Sequence, residues 1–211
     1  GHSQGGNSAL WSGMIAGEVV PSLRIMGIAA LAPASDLKGL VAASKGSMFG
    51  KIVSSYLIAA YARAYPDVRI ADYVGAWSRL VASDIASRCV SGYATMLSII
   101  ETLALPRGGI FLRDPTTGPL GDRLAENTPT GRIDAPLLIA QGETDDLVLP
   151  AVQRRYVAAR CAAGQPVDFR TYPGRDHLSV VAATSPLAAD LMVWTRDRLD
   201  GKPARSTCAS P

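Results

Sequence analysis

Gly1-His2-Ser3-Gln4-Gly5 opens the chain. A glycine two places before and two places after a serine is the sequence form of a sharp strand-to-helix turn that lifts a serine hydroxyl to the end of a sheet. A serine on such a turn is strained by about 1–3 kcal/mol. Gly1 and Gly5 are expected to avoid a clash where the backbone folds back on itself. The residues that follow suit a helix pressed on a sheet. Gly6, Ser8, Ala9, Ser12, Gly13 and Ala16 are small, and Leu10, Met14 and Ile15 are apolar anchors. The backbone N–H of Gln4, at the start of that helix, is placed to face a developing oxyanion. The strand leading into the turn would precede Gly1, so the chain is expected to be the C-terminal part of a larger protein.

The motif alone is weak; its weight comes from partners later in the chain. The sequence holds two histidines. His2 belongs to the turn and is expected to point away from any position from which it could deprotonate Ser3. His177 is therefore the candidate base, in Tyr172-Pro173-Gly174-Arg175-Asp176-His177, a loop directly after the strand-like Val167–Tyr172. The alternative for a lone loop histidine is a solvated surface residue.

A candidate acid follows the strand before that one. Pro136-Leu137-Leu138-Ile139-Ala140 is a continuous apolar run, the pattern of a strand buried on both faces. It enters Gln141-Gly142-Glu143-Thr144-Asp145-Asp146-Leu147-Val148-Leu149-Pro150. Asp145 is chosen as the acid that orients His177, Asp146 is the alternative, and Glu143 is read as solvated.

Around this core the pattern alternates strand and helix, which implies a parallel sheet. Helices are expected from Ser3 to about Ile15, over Pro150–Ala163 and over Pro186–Leu199. In the last of these Leu187, Leu191, Val193, Trp194 and Leu199 are expected to pack. Strands are expected over Arg24–Ala32, Pro136–Ala140 and Val167–Tyr172. From about Asp36 to Arg132 the alternation is interrupted. Met48–Ala62 is apolar nearly all round, a second helical region runs over Ala76–Leu103, and Pro106 to Pro129 reads as a Gly/Pro-rich loop. The expected domains are 1–35 and 133–200 as the α/β core, 36–132 as a helical cap or lid over the carboxyl ends of the strands, and 201–211 as a tail. The cap's Phe49–Leu57 face is read as lining for an acyl chain and contact for a lipid surface, the alternative being the cap's own core.

Of the three cysteines, Cys161 and Cys208 are expected to pair and tie the tail down. Cys89 would pair with a cysteine in the preceding part of the protein or remain a buried free thiol. Such pairing fits an oxidising, extracellular setting. The net charge of +3 is modest and its basic residues are scattered, which argues against a nucleic-acid partner. No run of about 18 or more apolar residues reads as a membrane span.

The stretches GHSQGGNSAL (1–10), GIAALAPASDL (27–37), RLAENT (123–128), APLLIAQGETDDLVLP (135–150) and YPGRDH (172–177) resemble the secretory lipase family of α/β-hydrolases. The order Ser3, Asp145, His177 matches that of α/β-hydrolases. The resemblance covers nearly the whole chain. It implies Ser3 as nucleophile, His177 as base, Asp145 as acid and the Gln4 backbone as one oxyanion donor, the second donor lying in a preceding half. Asp146 stands where relatives often carry proline. The resemblance implies ester hydrolysis through an acyl-enzyme, without metal or organic cofactor, on a lipid ester, in a secreted enzyme. A serine peptidase or an acyltransferase would share the triad. A different class of reading is an inactive, unstable fragment lacking its sheet neighbours.

Overall fold

In a computed structural model of the chain, residues 1–89 and 92–208 are described. In chain order they form α1 (Gln4–Val19), β1 (Ile28–Leu31), α2 (Leu37–Ser44), α3 (Met48–Ala64), α4 (Ile70–Tyr73), α5 (Ala76–Ala86), α6 (Gly92–Glu101), α7 (Gly118–Glu126), β2 (Leu137–Gly142), α8 (Pro150–Ala162), β3 (Asp168–Tyr172) and α9 (Pro186–Leu199). The chain divides into two compact units. One is Gly1–Asp36 with Thr128–Pro211, the other Leu37–Asn127.

The first unit is built on a parallel sheet of order β1-β2-β3. The ladder starts where Ile28 faces Leu137. Pro136 precedes Leu137 and has no N–H to donate, although its carbonyl accepts from Ile28 N–H at 2.8 Å. The strand is accordingly shorter than the expected Arg24–Ala32. All six residues of β2 are buried, as the unbroken apolar run requires of a strand covered on both faces. Leu137 and Ile139 join Leu10, Ile28, Ala30, Tyr156, Val157 and Val167 in one cluster. Ala140 turns to the opposite face, with Ala32, Tyr172, Val180 and Leu187.

Polar contacts fix the approach to β2. Tyr156 donates from its hydroxyl to the Pro129 carbonyl, 2.5 Å away, and burial pushes this phenol up to about 12. Arg160 donates to the carbonyls of Thr130 and Gly131. The Gln165 amide accepts from Ile133 N–H at 2.8 Å and donates to the Ile133 carbonyl at 3.0 Å. The buried Tyr156 hydroxyl and Gln165 amide, paired in this way, specify position as well as stability.

On α9 the buried stripe is Leu187, Trp194 and Arg198, with Leu191 half-buried. Val193 and Leu199 were expected to pack but are 60% and 69% exposed. Spacing explains this: positions 187, 191, 194 and 198 share one helical face, and 193 and 199 fall outside it. The tail is anchored by more than the Cys161–Cys208 disulfide. Thr207 N–H donates to the Val167 carbonyl at 2.8 Å and its hydroxyl accepts from Phe169 N–H at 2.9 Å, so this segment covers the outer edge of β3.

The second unit is helical. Its core gathers Val41, Ile52, Leu57, Ile58, Val68, Tyr73, Ile85, Leu105, Ile110, Leu120 and Leu124. Ile52 and Leu57, expected on an acyl-binding face, belong to this internal core, whereas Phe49 and Val53 are exposed. The region 76–103 is two helices, α5 and α6, joined by a pair of hydrogen bonds from Arg88 to Glu101, each 2.7 Å. The stretch Pro106–Pro129 is not all loop. It contains α7, which carries a proline in its first turn, where the missing N–H costs nothing. Cys89 is free and exposed, which excludes the buried thiol. Among the described residues no helix is long and apolar enough to cross a membrane.

Candidate active site

Ser3 has φ 55° and ψ −121°, a left-handed φ that is strained for a side chain other than glycine. Hydrogen bonds hold the strained peptide from both sides. Ser3 N–H donates to the Leu31 carbonyl at 2.9 Å, and the Ser3 carbonyl accepts from Gly6, Asn7 and Ala34 N–H at 2.9, 3.1 and 3.2 Å. Asn7 adds a side-chain bond of 2.7 Å to the Ala34 carbonyl. Of the two motif glycines, one is demanded by space. A Cβ on Gly1 would lie 2.0 Å from the Gly5 carbonyl oxygen, but a Cβ on Gly5 would meet nothing within 4 Å. The second tight position is Gly6, whose Cβ would approach that of Pro33 to 2.9 Å.

α1 begins at Gln4, directly after the serine. As the first amide of the helix, Gln4 N–H has no acceptor one turn earlier, and the helix macrodipole adds partial positive charge there.

The structure brings Ser3, Asp145 and His177 together in one unit. His177 Nε2 lies 2.9 Å from Ser3 Oγ. His177 Nδ1 lies 2.8 Å from Asp145 Oδ2. An ionised carboxylate only accepts, so Nδ1 carries the proton and Nε2 presents its lone pair to the Ser3 hydroxyl. Asp145 is 3% exposed and His177 7%, which puts their interaction in a largely water-free setting.

Each oxygen of Asp145 is directed. Oδ1 accepts from Leu147 N–H at 2.9 Å and Val148 N–H at 2.8 Å. Oδ2 accepts from Gln141 Nε2 at 3.0 Å and faces His177. Asp146, the sequence alternative, is exposed, and Glu143 accepts from the Thr171 hydroxyl at 2.8 Å. Gln141 also donates to the Val148 carbonyl at 3.0 Å and is fully buried. The motifs did not single it out. The signal was present: a polar residue closing a buried apolar run needs a reason to be there.

The two loops that carry Asp145 and His177 are laced together. Thr144 N–H donates to the Arg175 carbonyl at 3.0 Å and Glu143 N–H to the Tyr172 carbonyl at 3.1 Å. Gly142 permits this approach, since a Cβ there would come within 2.3 Å of the Arg175 carbonyl oxygen. Asp176 accepts from Leu178 and Ser179 N–H at 3.0 and 2.7 Å, and its own N–H donates to Ser179 Oγ at 2.9 Å. The Ser179 N–H and hydroxyl hold its carboxyl below the usual range. Among the described residues, no three His, Cys, Asp or Glu side chains cluster closely enough to hold a metal ion.

The His2 ring is turned onto His177. The centroids are 4.6 Å apart with planes tilted by 39°, and Nε2 lies 2.9 Å from the His177 carbonyl oxygen.

A parallel sheet, a strained serine between sheet and helix, and acid and histidine on successive post-strand loops define the α/β-hydrolase fold. Candida antarctica lipase A shares this fold at a TM-score of 0.75 and 19% identity, over 100% of this chain and 50% of that one. So does the rice cell wall degrading esterase LipA from Xanthomonas oryzae, at 0.70 and 18%, over 96% of this chain and 58% of that one. The family model for secretory lipase matches residues 1–207, and the chain belongs to that family. Secreted triacylglycerol lipase LIP4 of Malassezia globosa is 27% identical over 216 residues, covering 99% of this chain and 47% of the relative. Its counterpart LIP2 is 25% identical, with 99% and 47% covered. The chain thus spans about half the length of the curated relatives it matches.

Proposed function

We propose that this chain carries the catalytic apparatus of a secreted hydrolase that cleaves carboxylic esters of lipids through an acyl-enzyme. The observation that carries the reading is the unbroken series Ser3 Oγ, His177 Nε2, His177 Nδ1, Asp145 Oδ2, with contacts of 2.9 and 2.8 Å. Membership of the secretory lipase family supports the substrate class and the secreted setting, and the Cys161–Cys208 disulfide supports the secreted setting.

In the first step His177 Nε2 takes the proton of Ser3, and Oγ forms a bond to the ester carbonyl carbon. The carbonyl electron pair moves to oxygen, where Gln4 N–H donates to it. Collapse of this intermediate breaks the bond to the alcohol oxygen, which leaves with the proton from His177. In the second step His177 removes a proton from water. The resulting hydroxide attacks the acyl carbon, and Ser3 leaves with that proton while the carboxylic acid is released. Asp145 stays ionised and stabilises the imidazolium formed in each step.

A lipid surface as partner finds support in the helical unit. Tyr93, Met96, Leu97 and Ile100 of α6 stand at positions i, i+3, i+4 and i+7 and are all exposed, the pattern of an interfacial amphipathic helix. The test is hydrolysis of p-nitrophenyl esters from butyrate to palmitate by the chain and its Ser3→Ala variant. Ser3-dependent release rising with acyl length is expected. Release that survives Ser3→Ala, or amide cleavage exceeding ester cleavage, would overturn the proposal.

A further inference from the structure

We infer that His2 is a positioning residue for the base, an inference that rests on the Ser3–His177–Asp145 reading. The Nε2 of His2 stands 2.9 Å from the His177 carbonyl oxygen. A carbonyl only accepts, so Nε2 carries hydrogen and the neutral ring has a bare Nδ1. The same ring lies 4.6 Å from the His177 imidazole, centroid to centroid. His177 is therefore held through its backbone and its ring face by the residue next to the nucleophile.

This matters because a base works only within hydrogen-bond reach of the proton it takes. The loop around His177 is fixed on its flanks, by Thr144 N–H on the Arg175 carbonyl and by the Asp176 cap on Leu178 and Ser179. None of those contacts ties the loop to the turn that carries Ser3. His2 does. Because it is covalently joined to Ser3, any shift of the turn moves anchor and nucleophile together, which preserves the 2.9 Å separation of Ser3 Oγ and His177 Nε2. Ring contact adds an electrostatic condition: a charged His2 would oppose the imidazolium that His177 becomes in each step. The titratable side chains acting on His2 are His177 and Asp145, and burial is the largest influence keeping it neutral.

The test exploits the fact that the sequence holds two histidines. In the 15N-histidine-labelled full chain, long-range 1H–15N spectra assign all the ring nitrogens. The expected result is a neutral His2 protonated at Nε2 and a His177 protonated at Nδ1. Two variants separate the contacts. His2→Phe keeps a ring and removes the donor; His2→Gln places an amide N–H where Nε2 was. Labelling by a fluorophosphonate is expected to slow roughly five- to tenfold in His2→Phe, the effect of about one hydrogen bond. It is expected to return to within about twofold of wild type in His2→Gln. The His177 Nδ1–H signal should weaken through faster exchange in His2→Phe and recover in His2→Gln. Wild-type labelling and unchanged His177 signals in His2→Phe would overturn the inference, as would a His2 protonated at Nδ1. Labelling that persists in Ser3→Ala would instead sink the triad reading. If the wild-type chain did not label, that reading would fail and the inference with it; Ser3-dependent labelling that His2→Phe leaves unchanged would overturn the inference alone.

Discussion

Replacing Asp145 by Asn keeps the shape of the side chain and turns one of its two acceptors into a donor. The Asn oxygen can still accept from Leu147 and Val148 N–H, which now lie 2.9 and 2.8 Å from Asp145 Oδ1. Its NH2 would then stand where Oδ2 is, facing two donors, Gln141 Nε2 at 3.0 Å and His177 Nδ1–H at 2.8 Å. The conflict at His177 is relieved if the imidazole moves its proton to Nε2. That nitrogen then points an N–H at Ser3 Oγ, and the base is gone. Loss of a triad tautomer costs on the order of 10³–10⁴ in turnover, equivalent to about 4–5 kcal/mol of barrier. The loss of stability should be far smaller, about 1–3 kcal/mol for the charged hydrogen bonds given up. Asp145→Asn and Asp146→Asn should be compared by hydrolysis of p-nitrophenyl butyrate and by thermal melting. Asp146 is exposed, and its variant should stay near wild type in both. An Asp145→Asn chain within about tenfold of wild type, with Asp146→Asn inactive, would refute the assignment.

Other expected outcomes follow from the same geometry. Gly142→Ala puts a methyl group 2.3 Å from the Arg175 carbonyl oxygen. It should cost about 1–3 kcal/mol of stability and separate Asp145 from His177, so hydrolysis should fall further than the melting shift alone explains; equal losses would contradict this. The Cys161–Cys208 disulfide closes a separation of 47 residues. Its replacement by two serines should destabilise the chain by about 4 kcal/mol in denaturant titration, and a change below about 1 kcal/mol would show that the Thr207 contacts suffice alone. His2 is held below its ordinary value by burial first and by His177 second. Folding therefore favours its neutral form. That contribution is complete above its unfolded value and is lost as pH falls below about 6.5. Melting temperature should drop more in wild type than in His2→Gln between about pH 7.5 and about pH 5; identical drops would contradict the assignment.

Elements whose reading depended on local pattern were legible. The buried run 137–140 gave β2, and the prolines and apolar spacing at 150 and 186 gave α8 and α9 with starts that match the structure. Ser3, Asp145 and His177, which the structure brings within hydrogen-bond reach of one another, were singled out because each sits in a short turn with its own sequence form. The choice of Asp145 over Asp146 depends on which carboxylate the Leu147 and Val148 amides can reach, a matter of turn geometry that spacing only hints at. α7 was hidden because Gly118 and Pro119 read as loop residues, whereas proline in a first turn starts a helix. The contact between His2 and His177 spans 175 residues of sequence. No local pattern carries such information; it exists only once the sheet has brought turn and loop together. Gln141 lies between these cases, visible as an anomaly in its strand but explained only by the carboxylate it reaches.

The most direct test of the central claim is covalent labelling of the chain by a fluorophosphonate, followed by peptide mapping. The account predicts one phosphonyl group per chain, on Ser3, blocked by Ser3→Ala and slowed on the order of 10³-fold or more by His177→Ala. Labelling elsewhere, or at the same rate in all three chains, would contradict it.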